Sequence, residues 1–204
     1  IRKKGALTAK EEVLFDCNEM AQGKDYFRLV GISVSPDNTK VAFGIDTVSR
    51  RQYTLKIKDL ISDKLLETKI ENTTEGSVWA DDNATLFYNK KDDQTLRSEA
   101  VYKHQINSTK QADQLVYEEV DETYSVYVSS SKSREFIFIS SHSTTTSEHR
   151  FIRSDQPEAD FKIIQTRTTG LEYDVAHFGD HFYLHTNFNG ATNFQIMRTA
   201  IDQT

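Results

Sequence analysis

The sequence predicts an all-β fold made of about four consecutive, four-stranded antiparallel blades of a β-propeller. Three observations carry this. A strand–turn–strand unit recurs four times. Its turn positions, Asp37, Asp82, Ser131 and Asp180, lie 45, 49 and 49 residues apart, a spacing typical of propeller blades. Each unit is then followed by a further apolar strand. An antiparallel sandwich also repeats its hairpins, about every 8–12 residues, but leaves the longer period unexplained.

Each blade reads in the same order. The first opens on Gly31–Val34, turns at Pro36–Thr39 and returns along Val41–Phe43, with Tyr53–Ile57 third and Lys64–Glu67 fourth. The second uses Ser77–Ala80, Leu86–Tyr88, Ala100–Lys103 and Asp113–Tyr117. The third uses Ser125–Val128, Phe136–Ile139, Arg150–Arg153 and Phe161–Ile164. The fourth uses Tyr173–Phe178, Phe182–Leu184 and Asn193–Met197, and its fourth strand is not within the sequence. Alternation is loose, as expected of strands packed on both faces. Ahead of the first blade, Glu12–Asp16 reads as one more short strand, and Asn18–Gln22 as a helical turn ended by Gly23. Either that strand closes a small ring, or the chain is an open piece of a larger propeller. The abrupt start at Ile1 favours the open piece.

Composition narrows the function. Aromatic residues at 11% argue against disorder, and a net charge of -6 with scattered Lys and Arg argues against nucleic acid as a partner. No apolar run reaches the roughly 18–20 residues of a membrane helix, so no membrane partner is expected. Cys17 is the sole cysteine, which excludes an internal disulfide and fits a cytoplasmic protein, with a periplasmic one as the alternative. No cofactor is expected.

The motifs point away from catalysis by this chain. Gly31-Ile32-Ser33-Val34-Ser35 is the nearest match to a serine nucleophile elbow, yet its last glycine is missing and it lies in a strand. His177, His181 and His185 are spaced by four, but Gly179-Asp180 breaks the segment, and His181 and His185 on one strand lie roughly 13 Å apart, too far for one metal. Trp79 reads as core, and Glu118–Glu122 as a solvated loop between blades. Asn72, Asn83 and Asn107 head glycosylation sequons, read here as turn composition. The most unusual stretch is Ser140–Glu148. Its His142, Thr144, Thr145, Thr146 and Glu148 are the candidate residues for a loop facing a partner domain or the central tunnel.

Several separated segments resemble one family. Arg50–Leu60, Ile139–Glu148 and the opening Ile1–Asn18 are similar to the oligopeptidase B (protease II) branch of the prolyl oligopeptidase family. The resemblance implies a seven-bladed propeller over an α/β-hydrolase domain carrying the catalytic Ser, Asp and His. Residues 1–204 would then be a partial N-terminal propeller. The hydrolase domain and the remaining blades lie outside the chain and are its implied partners. Short peptides cleaved after Lys or Arg are the implied substrates of the whole protein. None of the catalytic positions has a counterpart here, so this chain alone is expected to be inactive. The rival readings are a stand-alone propeller that binds a protein partner and a non-catalytic periplasmic sensor. An open propeller is also expected to expose an apolar face at each end and to self-associate.

Overall fold

A computed structural model describes residues 1–106 and 113–204, so the Asn107 sequon lies outside the described residues. In chain order the elements are β1 (Arg2–Lys3), β2 (Glu11–Glu12), α1 (Cys17–Met20), β3 (Arg28–Val34), β4 (Lys40–Asp46), β5 (Tyr53–Asp59), β6 (Leu65–Trp79), β7 (Thr85–Lys91) and β8 (Ser98–Gln105). They continue with β9 (Gln114–Glu118), β10 (Ser125–Ser130), β11 (Phe136–His142), β12 (Ser147–Arg153), β13 (Lys162–Ile163), β14 (Tyr173–Phe178), β15 (His181–Thr186) and β16 (Gln195–Ala200). All sheet pairings are antiparallel between sequence neighbours, as a propeller requires.

The repeating turns form for the chemical reason their residues suggest. Asp37 accepts from the Thr39 N–H (2.9 Å), and Asp82 from the Ala84 and Thr85 N–H groups (2.9 and 2.8 Å). Ser131 Oγ accepts from the Phe136 N–H. The left-handed positions of these turns fall on Asn38, Asn83, Arg134 and Gly179. Asn83, one of the sequon residues, accepts from the Asp37 N–H at 2.8 Å, which ties the first turn to the second.

Blades one and two are not separate sheets. β6 is one 15-residue strand. Its first part pairs with β5 and its last part with β7, and Thr73 has partners on both sides. The expected fourth strand of blade one and first strand of blade two are therefore one continuous strand. Gly31 makes room where β6 passes β3. Its φ is +61°, and a Cβ there would lie 1.5 Å from the Glu75 carbonyl oxygen. Only a residue without a side chain fits that approach.

Among the described residues, three apolar cores lie between successive blades. Ala42, Leu55 and Ile57 meet Trp79, Leu86 and Tyr88. Val78, Phe87 and Val101 meet Val126, Ile137 and Ile152. Phe136, Phe138 and Phe151 meet Tyr173 and Phe182. Trp79 is buried as expected, and its indole N–H donates to the Ser33 carbonyl at 2.9 Å.

The N-terminal expectation needs correction. Only Glu11–Glu12 is extended, and it pairs with Arg2–Lys3 rather than with a blade. Opposite charges support that pair, with Arg2–Glu12 at 2.8 Å. Asp16 ends the extended run by capping α1, accepting from the Asn18 and Glu19 N–H groups. The Phe15 ring instead packs on Phe43 at 4.5 Å, and Lys58 Nζ donates to the Leu14 carbonyl. This segment covers the free face of blade one, so the chain does not expose an apolar face at each end. The opposite end, on blade four, does present exposed Phe178 and Ile196.

Candidate functional site

The Ser140–Glu148 stretch divides into a tip and a root. Ser143 to Thr146 form the hairpin between β11 and β12, closed by the Ser143 N–H on the Thr146 carbonyl (2.9 Å). His142, Thr144 and Thr145 are exposed, and the His142 ring stacks on Tyr127 of β10 at 5.3 Å. Thr146 and Glu148, expected on a loop facing a partner domain or the tunnel, are buried within the chain at the root of the hairpin. Thr146 Oγ1 accepts from the Gly170 N–H (3.0 Å), and Glu148 accepts from the Arg167 N–H (3.0 Å) and pairs with Arg150 (2.6 Å). Both are buried because the connector from blade three to blade four folds over the root of the hairpin.

Beneath that root lies a polar cluster that the sequence reading missed. Glu119 belongs to the acidic run expected to form a solvated loop, yet it is 3% exposed. Its carboxylate pairs with Arg167 and accepts from Ser141 Oγ (2.5 Å), Tyr117 Oη (2.9 Å) and the Asp121 N–H (3.1 Å). Burial pushes the Glu119 pKa up, but these donors outweigh it and hold the carboxyl at about 2. Arg167 also sits over the Tyr124 ring at 3.7 Å, and Arg97 donates to the Glu119 and Tyr124 carbonyls. The one available signal was spacing. Glu119 and Arg167 are 48 residues apart, one blade period, so both fall on connectors between blades.

Buried histidines fasten the seam between blades three and four. His149 contacts Ser140 Oγ through Nδ1 (2.9 Å) and the Tyr173 carbonyl through Nε2 (2.6 Å). Its Nε2–H donates to that carbonyl, and Nδ1 accepts from the serine. Burial lowers its pKa below the usual histidine value. His177 repeats the pattern with Ser133 (2.8 Å) and the Gly179 carbonyl (2.6 Å). His181 lies near Tyr183, and His185 stacks on Phe194, so the three evenly spaced histidines have three different surroundings. A further chain of bonds runs from Thr68 through His104 to Asp113, which also accepts from Tyr88 Oη. It joins β6 to the outer part of blade two.

Blades, connectors and seams together define the comparison with known proteins. The description "Prolyl oligopeptidase, N-terminal beta-propeller domain" matches residues 1–204. The chain belongs to this family. Among its curated relatives, it is 39% identical over 196 residues to a dipeptidyl aminopeptidase BI of Pseudoxanthomonas mexicana, covering 96% of this chain and 27% of the relative. It is 34% identical to a Protease 2 of Moraxella lacunata, covering 95% and 28%. Among solved structures, oligopeptidase B from Leishmania major superposes with a TM-score of 0.89 at 28% identity, covering 99% of this chain and 28% of that one. The chain thus spans little more than a quarter of these relatives, and within the prolyl oligopeptidase family it is propeller sequence. It carries no counterpart of the hydrolase domain.

Proposed function

We propose that the whole protein is a serine oligopeptidase and that this propeller restricts its active site to short peptides. The observation that carries the reading is the match of the entire chain in sequence to the N-terminal propeller of the prolyl oligopeptidase family, and in fold to an oligopeptidase B. The propeller acts by steric exclusion, because packed blades admit an extended peptide more readily than a folded domain. The hydrolase domain, outside this chain, supplies acyl transfer by an activated serine and an oxyanion hole. Cleavage after Lys or Arg is the expected specificity.

The similarity to a dipeptidyl aminopeptidase BI favours a second specificity, release of dipeptides from a free N-terminus. One assay separates the two. The full-length protein is given an N-terminally blocked arginyl amide and an unblocked dipeptidyl amide. Turnover of the blocked substrate supports the first reading, and turnover of the unblocked one alone supports the second. Hydrolysis of neither overturns the peptidase reading and favours a propeller that only binds a partner. The isolated chain is expected to hydrolyse neither.

A further inference from the structure

The three seams between blades are fastened by different chemistry. Blades one and two share β6. The inner strand of blade three, β10, is held to blade two by groups that do not titrate. The Asn89 amide donates to the Val126 carbonyl (3.0 Å) and accepts from the Val128 N–H (2.9 Å), and Ser98 Oγ donates to the same carbonyl. The inner strand of blade four, β14, is pinned to blade three by a histidine at each end. At one end the His149 Nε2–H donates to the Tyr173 carbonyl, and Ser147 Oγ exchanges two hydrogen bonds with the Tyr173 backbone. Tyr173 Oη accepts from the His149 N–H and donates to the Gln165 carbonyl. At the other end His177 accepts from Ser133 Oγ of blade three and donates to the Gly179 carbonyl. Of the six histidines in the chain, His149 and His177 are the buried ones.

The two clasps differ in what an added proton would meet. At His149 the free position is Nδ1, and among the described residues no carboxylate lies within ion-pair distance of the ring. Glu148, on its own strand, is already paired with Arg150. Asp174 of β14 follows Tyr173 and so faces the other side of its blade. His142 of β11 opposes a second positive charge nearby. His177 instead has the Glu135 carboxylate 3.9 Å from Nδ1, and His104, between blades one and two, has Asp113 at 2.8 Å. A proton completes an ion pair at those two, whereas at His149 it leaves a buried charge unpaired. We propose that the seam between blades three and four is an acid-operated joint: protonation of His149 frees Tyr173, and β14 swings away from blade three about its His177 end. Arg167 stays tied to Glu119, whose carboxyl is held at about 2, so the opening begins beyond Arg167. The proposal rests on the reading of the propeller as a size filter, because an open joint widens the filter and admits longer peptides in acid than at neutral pH.

The test compares the full-length protein at pH 7.5 and pH 5.5. Hydrogen exchange is followed by mass spectrometry and corrected for the intrinsic pH dependence of amide exchange. Segments 146–150 and 171–175 are expected to open about tenfold more often at pH 5.5, the shift produced by one proton binding a unit below the usual histidine value of 6.5. β4 to β8 and β10 are expected to stay unchanged. His149→Gln keeps a donor for Tyr173 and an acceptor for Ser140 but takes up no proton, and is expected to abolish the difference. Equal protection of the two segments at both pH values overturns the proposal. So does an equal loss in every blade, or a loss that persists in His149→Gln. The wild type alone yields the first two outcomes, so the test holds even where the variant does not fold. The consequence for substrates is read as the ratio of hydrolysis rates of a long and a short peptide, about thirty and eight residues, with the same cleaved sequence, which cancels the titration of the catalytic groups. That ratio is expected to rise about tenfold at pH 5.5 in step with the open population, and a constant ratio overturns the gating role. A protein that hydrolyses neither peptide sinks the peptidase reading, and the exchange result then decides the joint by itself.

Discussion

At the scale of single residues, two positions carry unusual weight. Gly31 combines a left-handed backbone with a carbonyl oxygen in the space a Cβ would fill. Gly31→Ala is therefore expected to destabilise the protein by about 3 kcal/mol or to block folding, read by urea denaturation. A change within a few tenths of a kcal/mol would show that β3 and β6 move apart freely. Glu119 is the second position. Its carboxyl is held at about 2 in the fold against 4.5 unperturbed, so its stabilisation is complete above pH 4.5 and is lost as pH falls toward 2. His149 acts in a higher window. Its folded pKa lies below 6.5, so the unfolded chain takes up protons first and stability declines as pH drops below 6.5. Denaturation midpoints across pH should thus show two acid-side losses. Glu119→Gln should flatten the lower one and, by leaving Arg167 unpaired, cost about 3 kcal/mol at pH 7. An unchanged pH profile in this variant would place the acid sensitivity elsewhere.

At the scale of elements, the continuous β6 has a mechanical consequence. Blades one and two share a strand and a hydrogen-bond ladder, whereas blades three and four meet only through side chains, connectors and the two histidine clasps. Hydrogen exchange followed by mass spectrometry should show β4 to β8 opening as one unit. β16, an edge strand of its sheet, should exchange faster than the central β15 beside it. Independent exchange of β4 and β7 would contradict a shared unit. The N-terminal segment belongs at this scale too. Phe15 contributes one ring against Phe43, and Phe15→Ala should cost about 1–3 kcal/mol, because the segment that covers blade one would lose its anchor.

At the scale of the whole molecule, the two ends of the blade array are unlike. Blade one is covered by its own N-terminal segment, while blade four presents Phe178 and Ile196 at 77% and 68% exposure. Self-association of the isolated chain is therefore expected through blade four alone, giving dimers rather than open chains of molecules. Sedimentation velocity over a concentration series checks this, and Phe178→Ser with Ile196→Lys should return the monomer. Assemblies larger than a dimer would mean that the cover on blade one opens.

The repeat is legible from local chemistry alone. Turn chemistry is local, so Asp37, Asp82, Ser131 and Gly179-Asp180 marked the hairpins, and hydrophobic runs between them marked the strands, close to where they lie. Family membership was legible for a related reason, since separated segments kept their order and spacing. Tertiary structure decided everything that depends on which distant residues meet. Glu119 looked solvated until the next connector placed Arg167 beside it. Thr146 and Glu148 looked like loop residues until that connector covered them, and Phe15 looked like a strand residue until Asp16 turned the chain. Asn72, at φ +60° just before the shared Thr73, is the local mark of where β6 changes blades, but the strand runs on through it, so a single segment does not show that two blades share it. Burial and pairing are properties of two segments at once, and a single segment read alone carries only half of each.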